Sequence, residues 1–422
     1  MFEPPEADIA VGMEGYASQL PPCKAYIKRS PEDFRVEEIL CEIQVNPGPR
    51  KGYVPLYRVE KRLLDTLHLD RELSDALHSR ISFAGLKDKR ALTVQYFTPT
   101  SSRARSPQAI EGGRFKAELV GYIPRPLSRG SVRGNRFRVV IRDACPGIED
   151  RLRSVFEMAQ SRRLPNYFGL QRFGGSGALT HRIGRAIVKG NLEEAVGTML
   201  SAPRPGDAPG TREARELFSK NEFREGSRML PAGQDVERQV ARHLGSRPGD
   251  FVGALRMVPI KLRRLYTHAY QSYLFNRALS VALRRGLDLS KFEAGDNWGD
   301  VTSDGLVMTK AHGTREPPSP EAVPLFQLAG YSYRNYGTRF DDCLEDVMNG
   351  EGVSARDFFV KGLQEVSVEG GFRRPHLAAL DLSSSPEGNS VEVHFTLARG
   401  QYATVLLREA VRPTDPVSQG FA

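Results

Sequence analysis

The first third of the chain alternates apolar and polar residues in the period of two that half-buried β-strands show. The strands predicted from this pattern cover residues 34–39, 53–59, 81–84, 92–97 and 137–141. Short helical stretches lie among them, so the strict strand–helix–strand alternation of a parallel α/β fold is absent.

The middle of the chain changes to the 3.6-residue period of amphipathic helices. A segment rich in proline and glycine, residues 202–210, predicts an exposed loop or linker, and strand-like residues return at 390–397 and 402–407. The predicted helices cover residues 73–77, 148–161, 212–217, 236–244 and 262–285. Strands at both ends around a mainly helical middle predict an α+β fold, in which a sheet-based domain is interrupted by an insertion.

Length and charge narrow the class of protein. A chain of 422 residues is expected to form two or three domains, because single cores rarely grow beyond about 250–300 residues. The chain has 60 Lys and Arg residues against 51 Asp and Glu residues, and its formal net charge is +9. This surplus favours a polyanionic partner, most simply nucleic acid, although charge alone leaves open a basic protein without an RNA role.

Cysteine usage and the start of the chain argue against export. The cysteines are too far apart for a C-x-x-C zinc ribbon, and their scatter is more typical of a reducing cytosol than of a disulfide framework. They are Cys23, Cys41, Cys145 and Cys343. The first residues contain neither a basic stretch nor an apolar core, and no apolar run approaches the roughly 20 residues that span a bilayer. A cytoplasmic protein that does not bind membranes is expected.

Familiar cofactor motifs are missing from the sequence. It contains no G-x-x-x-x-G-K-[ST] phosphate loop, no H-E-x-x-H motif and no zinc-deaminase motif pair. His312 and His394 have no partner at ligand spacing and are interpreted as ordinary loop and strand residues. No metal and no cofactor are therefore predicted.

The most informative candidate for chemistry is Asp88, which lies in the segment FAGLKDKRA (residues 83–91) at the bend between two predicted strands. Neighbouring cations favour the ionised form of a carboxylate, and an ionised carboxylate on such a turn can act as a nucleophile or a base. The competing interpretation is that Asp88 only neutralises its neighbours on a surface loop.

Three further segments combine aromatic, basic and flexible residues. Residues 166–177 place aromatic, amide and arginine side chains between glycines, which suits stacking on an extruded base or a buried aromatic corner. Residues 127–138 carry four arginines and two glycines, which predict a phosphate cradle or a basic hairpin turn. Residues 266–277 carry aromatics at helical spacing, a pattern more typical of a core than of a site.

Taken in chain order, these segments resemble one family, the TruD-type tRNA pseudouridine synthases, and within it an archaeal-type member with an enlarged insertion. The segments around Asp88 and Asn166 are the most specific. The matching segments span nearly the whole chain and comprise residues 30–34 with 36–38, 83–89, 134–137, 166–174, 271–276 and 400–404.

The resemblance implies the pseudouridine synthase catalytic fold, which is α+β with a mixed, largely antiparallel sheet and a mainly helical insertion domain. It implies a catalytic domain formed by residues 1–175 and 373–422 around an insertion at residues 176–372. The implied reaction is the isomerisation of uridine to pseudouridine in tRNA, at position 13 of the D arm. It requires no cofactor or metal, and since nothing demands a dimer, a monomer is expected.

The resemblance also implies roles for particular residues. The family's catalytic aspartate falls on Asp88, and the basic partner expected to pair with it falls on Lys28. Phe168 matches the aromatic that stacks on the target base, and Asn166 matches a neighbouring amide of the active site. The family's turn near the site matches Gly134, Asn135 and Phe137.

Three points stay open in the sequence. Asp88 must be ionised whether it adds to the sugar or base or abstracts a ribose proton, and the sequence does not choose between these routes. Lys87 and Lys89 lie opposite to Asp88 if the turn is extended, and would then face phosphate or solvent. The alternative to an enzyme is a catalytically inactive RNA-binding or RNA-chaperone protein on the same fold, although a carboxylate in its RNA groove would repel phosphate.

Overall fold

The fold combines strands and helices along its whole length, in a computed structural model that describes residues 3–85, 87, 90–301, 307–312 and 322–422. Among these residues the strands are β1 (Phe34–Leu40), β2 (Val54–Arg62), β3 (Ile81–Phe83), β4 (Leu92–Pro99), β5 (Ala109–Gly112), β6 (Phe115–Ile123), β7 (Val132–Ile141), β8 (Leu164–Pro165), β9 (Asn297–Val301), β10 (Val307–Ala311), β11 (Val323–Leu328), β12 (Gly371–Arg373), β13 (His376–Leu377), β14 (Ala379–Glu387) and β15 (Ser390–Ala398). The α-helices are α1 (Glu6–Ile9), α2 (Thr66–Leu77), α3 (Ile148–Gln160), α4 (Thr180–Val188), α5 (Leu192–Ser201), α6 (Pro209–Ser219), α7 (Phe223–Met229), α8 (Asp235–Ser246), α9 (Phe251–Met257), α10 (Ile260–Arg284), α11 (Arg339–Glu351) and α12 (Ala403–Val411).

Strands from both ends of the chain join in one large sheet. Its order is β14-β15-β7-β1-β4-β2-β6-β5, and β3 pairs with β4 beside this path. Strands β1 and β4 run parallel, whereas the other described pairings of the sheet are antiparallel. The expected α+β fold with a mixed, largely antiparallel sheet is confirmed. The domain division at residues 175 and 372 stays a prediction.

One predicted element has the wrong type. Residues 402–407 were expected to form a strand because they are rich in apolar and β-branched side chains, but they begin helix α12. All nine residues of α12 are buried, so no polar face reveals its helical period. The turn before the helix contains Gly400 at φ +83°, a backbone conformation that favours glycine.

Helix α10 connects two apolar cores. Tyr266, near its start, belongs to a core built mainly from helices α4–α9, whereas Tyr270 and Leu274 belong to the core under the large sheet. With 25 residues α10 is long, yet in the part of the chain that the structure describes no helix is both long and apolar enough to cross a membrane. The helix is thereby packed into the mainly helical middle and the sheet at once.

A buried ion pair ties the N-terminal segment to α12. The Nε of Arg408 donates to Oδ2 of Asp8 at 2.5 Å, and its guanidinium also donates to the carbonyl oxygens of Gly15 and Met13 at 3.0 and 3.3 Å. Both charged side chains are almost completely buried, with exposed fractions of 3% and 1%. Residues far apart in sequence are thus fixed to one another beneath the sheet.

Cys23 and Cys145 form a disulfide, so the expectation that the cysteines stay unpaired is wrong for this pair. Their Cα atoms are 5.8 Å apart, although 122 residues separate them in sequence. The N–H of Tyr26 donates to the carbonyl of Arg142 at 2.9 Å, which aligns the segment before β1 with the end of β7. A pairing made by the sheet is invisible to rules that compare nearby cysteines.

Candidate active site

The sheet brings the segment before β1 and the segment before β4 to the same edge. The two strands are parallel, with Arg35 opposite Leu92, so their N-terminal ends lie side by side. Lys28 precedes the first strand and residues 84–91 precede the second. Asp88 itself lies outside the described residues, as do Leu86 and Lys89, and the site is described from the residues that flank them.

Hydrogen bonds anchor the backbone just before Asp88. The Nε2 of Gln95 donates to the carbonyl of Gly85 at 3.0 Å, and the N–H of Lys87 donates to the hydroxyl of Thr66 at 3.1 Å. That hydroxyl in turn donates to Oε1 of Gln95 at 3.3 Å. Because Thr66 and Gln95 are both buried, the segment is tied to α2 and β4 by bonds shielded from water.

The side chain of Lys87 joins three parts of the sequence. Its Nζ lies 3.2 Å from Oε1 of Glu38 and donates to Oδ1 of Asn135 at 2.5 Å. Glu38 is 3% exposed, and its other oxygen accepts the N–H of Tyr96 at 3.0 Å. The orientation of Lys87, which the sequence left open, is thus towards the protein, where a buried carboxylate and an amide contact its ammonium.

Lys28 and Phe137 both contact the ring of Phe34. The ammonium of Lys28 lies 4.9 Å from the centroid of the Phe34 ring, and that ring packs edge-on against Phe137 at 6.0 Å. Phe137 stacks in turn on Phe395 at 5.2 Å. Lys28 has φ +56°, which is uncommon for a residue with a side chain and marks a position held by its surroundings. Its predicted pairing with Asp88 falls outside the described residues and stays a prediction.

Gly134 allows the backbones of β7 and β15 to approach closely next to Asn135. A Cβ atom at position 134 would lie 2.4 Å from the carbonyl oxygen of Leu397, so no side chain fits there. The same approach places Asn135 opposite Leu397 on one side and opposite Glu38 on the other. The prediction of a turn here is wrong, because Gly134, Asn135 and Phe137 all lie within strand β7, which pairs with β1 and β15. The strand brings Asn135 to the Lys87 ammonium.

The side-chain amide of Asn166 holds the loop in which this residue lies. The Nδ2 of Asn166 donates to the carbonyl of Arg374 at 3.0 Å, and its Oδ1 accepts from the Arg373 guanidinium at 2.8 Å. The backbone N–H and carbonyl of Phe168 bond to the side chain of Asn276 at 2.8 and 2.9 Å. The Asn166 amide therefore contacts protein groups that shape the loop, and its role towards a substrate stays a prediction.

Phe168 lies in an aromatic and basic setting. The Arg373 guanidinium covers its ring at 3.9 Å from the centroid, and that of Arg172 lies at 5.8 Å. Phe275 and Tyr402 meet the ring edge-on at 5.5 and 6.2 Å. The ring remains half-buried, so part of it is accessible to a partner.

Arg373 is a residue that the sequence analysis missed. Besides covering Phe168, it donates to the backbone carbonyl of Asn166 at 3.0 Å, and no carboxylate among the described residues pairs with it. Burial lowers the pKa of Arg373 to about 9, and Arg172 adds repulsion, yet the side chain stays cationic at neutral pH. The paired arginines at 373 and 374 were the available sequence signal.

The predicted site residues form two neighbouring groups. Lys28, Phe137 and Asn135 lie along the sheet near Lys87, and Asn166 and Phe168 lie on the loop that Arg373 holds. Residues 397–402 link the groups, since the first of them opposes Asn135 and a Cβ on Gly400 would lie 3.5 Å from an Arg373 nitrogen. The ring of Phe83, at the end of β3 and shortly before Asp88 in sequence, lies 5.8 Å from the ammonium of Lys261 at the start of α10.

The two histidines without ligand partners are engaged in ordinary contacts. His312 stacks on Tyr336 at 4.4 Å and on Phe372 at 5.1 Å, and His394 lies 2.7 Å from Glu392. Where the structure describes the chain, no group of three or more His, Cys, Asp or Glu side chains has the arrangement of a metal site.

The comparison with family models identifies the fold's relatives. Residues 10–410 match the model described as tRNA pseudouridine synthase D (TruD), which covers nearly the whole chain. The chain belongs to the TruD family. Its matched region includes every segment that was compared with this family from sequence, from Lys28 to residue 404.

Curated relatives and a solved structure support the same family membership. A protein of Pyrobaculum arsenaticum named "Probable tRNA pseudouridine synthase D" is 34% identical over the full length of both chains. One of the same name from Methanopyrus kandleri is 35% identical over 85% of this chain and 86% of its own. The crystal structure of the TruD protein from Methanosarcina mazei superposes with a TM-score of 0.76 at 27% identity, and covers 97% of this chain and 99% of that one. The archaeal resemblance within the TruD family is thereby confirmed.

Proposed function

We propose that this TruD protein isomerises uridine to pseudouridine at position 13 in the D arm of tRNA, with Asp88 as the catalytic carboxylate. The observation that carries the proposal is the family match together with the anchoring of the segment around Asp88. Two residues just before Asp88, Gly85 and Lys87, are hydrogen-bonded through their backbones to buried side chains, which suits a reacting group that must be held in one place.

The reaction needs no electron carrier. The N1–C1′ glycosidic bond breaks, the uracil rotates, and C5 bonds to C1′. C5 then gives up its proton and N1 gains one, so substrate and product are isomers. The proposal therefore includes neither a cofactor nor a metal, and it requires only groups that position the base and handle charge and protons.

Four residues have a proposed role in this reaction. The target uridine leaves the RNA stack, and Phe168 stacks on it to offset part of the unstacking cost of a few kcal/mol. Arg373 covers one part of the Phe168 ring, which restricts where the base can lie. Lys28 keeps Asp88 ionised and oriented. Asp88 then adds to the sugar or base, or abstracts a ribose proton.

The tRNA is proposed to bind through its backbone to a monomer with a net charge of +9. The carboxylate of Asp88 disfavours the alternative of an inactive RNA-binding or chaperone protein, because such a protein has no use for a negative charge next to phosphate. The alternative predicts tRNA binding by the wild-type protein without any isomerisation.

The test replaces Asp88 by asparagine and measures tritium release from tRNA labelled at C5 of uridine. We expect wild type to release one tritium per tRNA and Asp88→Asn to release none, with tRNA binding retained. Asp75→Asn, an exposed change on α2, serves as the matched control and should keep full activity. Wild-type turnover by Asp88→Asn would refute the catalytic assignment, and release from a tRNA with cytidine at position 13 would refute the position.

A further inference from the structure

Arg374 is a buried arginine without a counter-charge. Its exposed fraction is 8%, and among the described residues no carboxylate or hydrogen-bond acceptor contacts its guanidinium. A buried arginine is ordinarily paired, because an isolated cation away from water is strongly unfavourable.

The groups that face Arg374 do not neutralise it. Arg162 is exposed and positively charged, and its repulsion adds to burial in lowering the pKa of Arg374 to about 10. His376 is completely buried, and burial lowers its pKa to about 3, so its imidazole is neutral at physiological pH. Its Nδ1 lies 2.9 Å from the carbonyl oxygen of Leu289 and therefore carries the ring proton.

Asp288, a carboxylate that acts on His376, is already engaged. Oδ1 of Asp288 accepts the N–H and the hydroxyl of Ser290 at 2.8 and 2.6 Å, and the N–H of Lys291 at 3.3 Å. These bonds explain its place at a turn, and none of its contacts reaches Arg374. The positive charge at Arg374 and Arg162 thus remains available to a ligand.

This charge lies directly behind the loop of the candidate site. Adjacent residues of an extended chain point to opposite sides, and Arg373 covers Phe168, so the Arg374 side chain points away from that ring. The carbonyl of Arg374 accepts the Nδ2 bond of Asn166 at 3.0 Å. The Arg374 backbone thus supports the loop of the candidate site, while its guanidinium lies on the opposite side of the chain from Phe168.

We propose that Arg374 and Arg162 form a seat for a phosphate group of the substrate tRNA. A guanidinium presents a planar fork of donors that matches two phosphate oxygens, and a phosphate would supply the counter-charge that the protein lacks. Because it takes tRNA as the ligand, the inference rests on the proposed function. Arg374 is a binding residue in this account and takes no part in bond making.

The first experiment measures tRNA affinity as a function of salt. Arg374→Met keeps much of the buried stem and removes the charge, and we expect it to weaken tRNA binding about tenfold and to lower the slope of log affinity against log salt by about one. Arg374→Lys should keep most of the slope but lose affinity, because a lysine binds one oxygen at a time. Arg153→Met removes an exposed arginine that pairs with Asp150 on α3 and should change neither quantity.

The second experiment separates a binding role from a structural one. In phosphate-free buffer Arg374→Met should unfold at the same or a higher temperature than wild type, since it removes an uncompensated buried charge. Inorganic phosphate should raise the melting temperature of wild type more than chloride does at equal ionic strength, and should not do so for the variant. A lower melting temperature of Arg374→Met in phosphate-free buffer would make Arg374 a structural residue and overturn the proposal.

Two other results would also overturn it. Unchanged tRNA affinity and salt slope in Arg374→Met would show that Arg374 binds no phosphate of the RNA. If inorganic phosphate still raised the melting temperature of wild type alone, the site would bind free phosphate only. None of these measurements requires turnover. A wild-type protein that binds tRNA with an Arg374-dependent slope but makes no pseudouridine would defeat the proposed function and leave the phosphate seat standing.

Discussion

Replacing Lys87 by methionine removes the cation beneath the segment that carries Asp88. The methionine keeps an unbranched stem of similar length but leaves the Glu38 carboxylate, whose side chain is 1% exposed, without the ammonium that lies 3.2 Å away in the native protein. Asn135 loses the donor at 2.5 Å from its Oδ1 at the same time. The change therefore tests whether one ion pair holds three parts of the candidate site together.

The expected magnitude follows from burial. Breaking a buried ion pair from one side costs about 3–5 kcal/mol, because the remaining charge is left uncompensated. The Lys87 side chain is 14% exposed, so water can approach the vacated end and the lower limit of about 3 kcal/mol applies. Activity should fall roughly 100-fold in kcat, as expected for a displacement of about 1 Å at a reacting group. The KM for tRNA should change little, because the ammonium contacts protein groups.

Urea unfolding and single-turnover kinetics measure these two effects. Adding Glu38→Gln to the Lys87→Met variant should recover most of the lost stability, since a neutral amide can still accept the N–H of Tyr96. Lys116→Met, which breaks a surface contact with Glu118, is the control and should leave stability and kcat unchanged. Strictly additive effects of the two changes at positions 38 and 87 would refute the ion-pair argument.

Two further predictions concern packing and pH. Gly134→Ala should lower the free energy of unfolding by about 1–3 kcal/mol, because its Cβ would lie 2.4 Å from the Leu397 carbonyl oxygen, whereas Gly48→Ala meets nothing within 4 Å; equal melting temperatures for the two variants would contradict this. Burial lowers the pKa of His181 to about 4, so the folded protein disfavours the protonated ring. The free energy of unfolding of the wild type should therefore fall by about 3 kcal/mol in total as the pH decreases from 6.5 towards 4, because of His181 alone. The His181→Phe variant should lack this part of the pH dependence, and parallel unfolding profiles of the two proteins over this range would contradict the prediction.

The elements that the sequence predicts well have one face towards the core and one face towards solvent. Strand β1 and helix α3 form close to the expected bounds, because partly or fully exposed residues interrupt their buried ones at a regular period. Helix α12 lacks this pattern, because all of its residues are buried. Local pattern reports the boundary between core and solvent, and an element wholly inside the core has no such boundary.

The candidate site is predictable in its membership and less so in its contacts. The resemblance to a family singled out Asn135 and Phe168 at their positions, but it did not indicate that Lys87 binds Glu38 or that Arg373 covers Phe168. These contacts join residues dozens to hundreds of positions apart, and they depend on strand register and on how the C-terminal strands return to the sheet. Register is a property of the folded sheet, which a single sequence does not display.

The disulfide between Cys23 and Cys145 changes the covalent connectivity of the molecule. It closes a covalent loop that contains Lys28, Asp88 and Asn135 in its sequence. Asn166, Phe168 and the helical middle follow Cys145 and lie outside this loop. A single backbone cut inside this loop, for example in the exposed residues 101–103, would leave one covalent molecule, whereas a cut in the helical middle would release two. One half of the candidate site is therefore closed by a covalent loop, and the other half is joined to it by packing and by the linear chain alone.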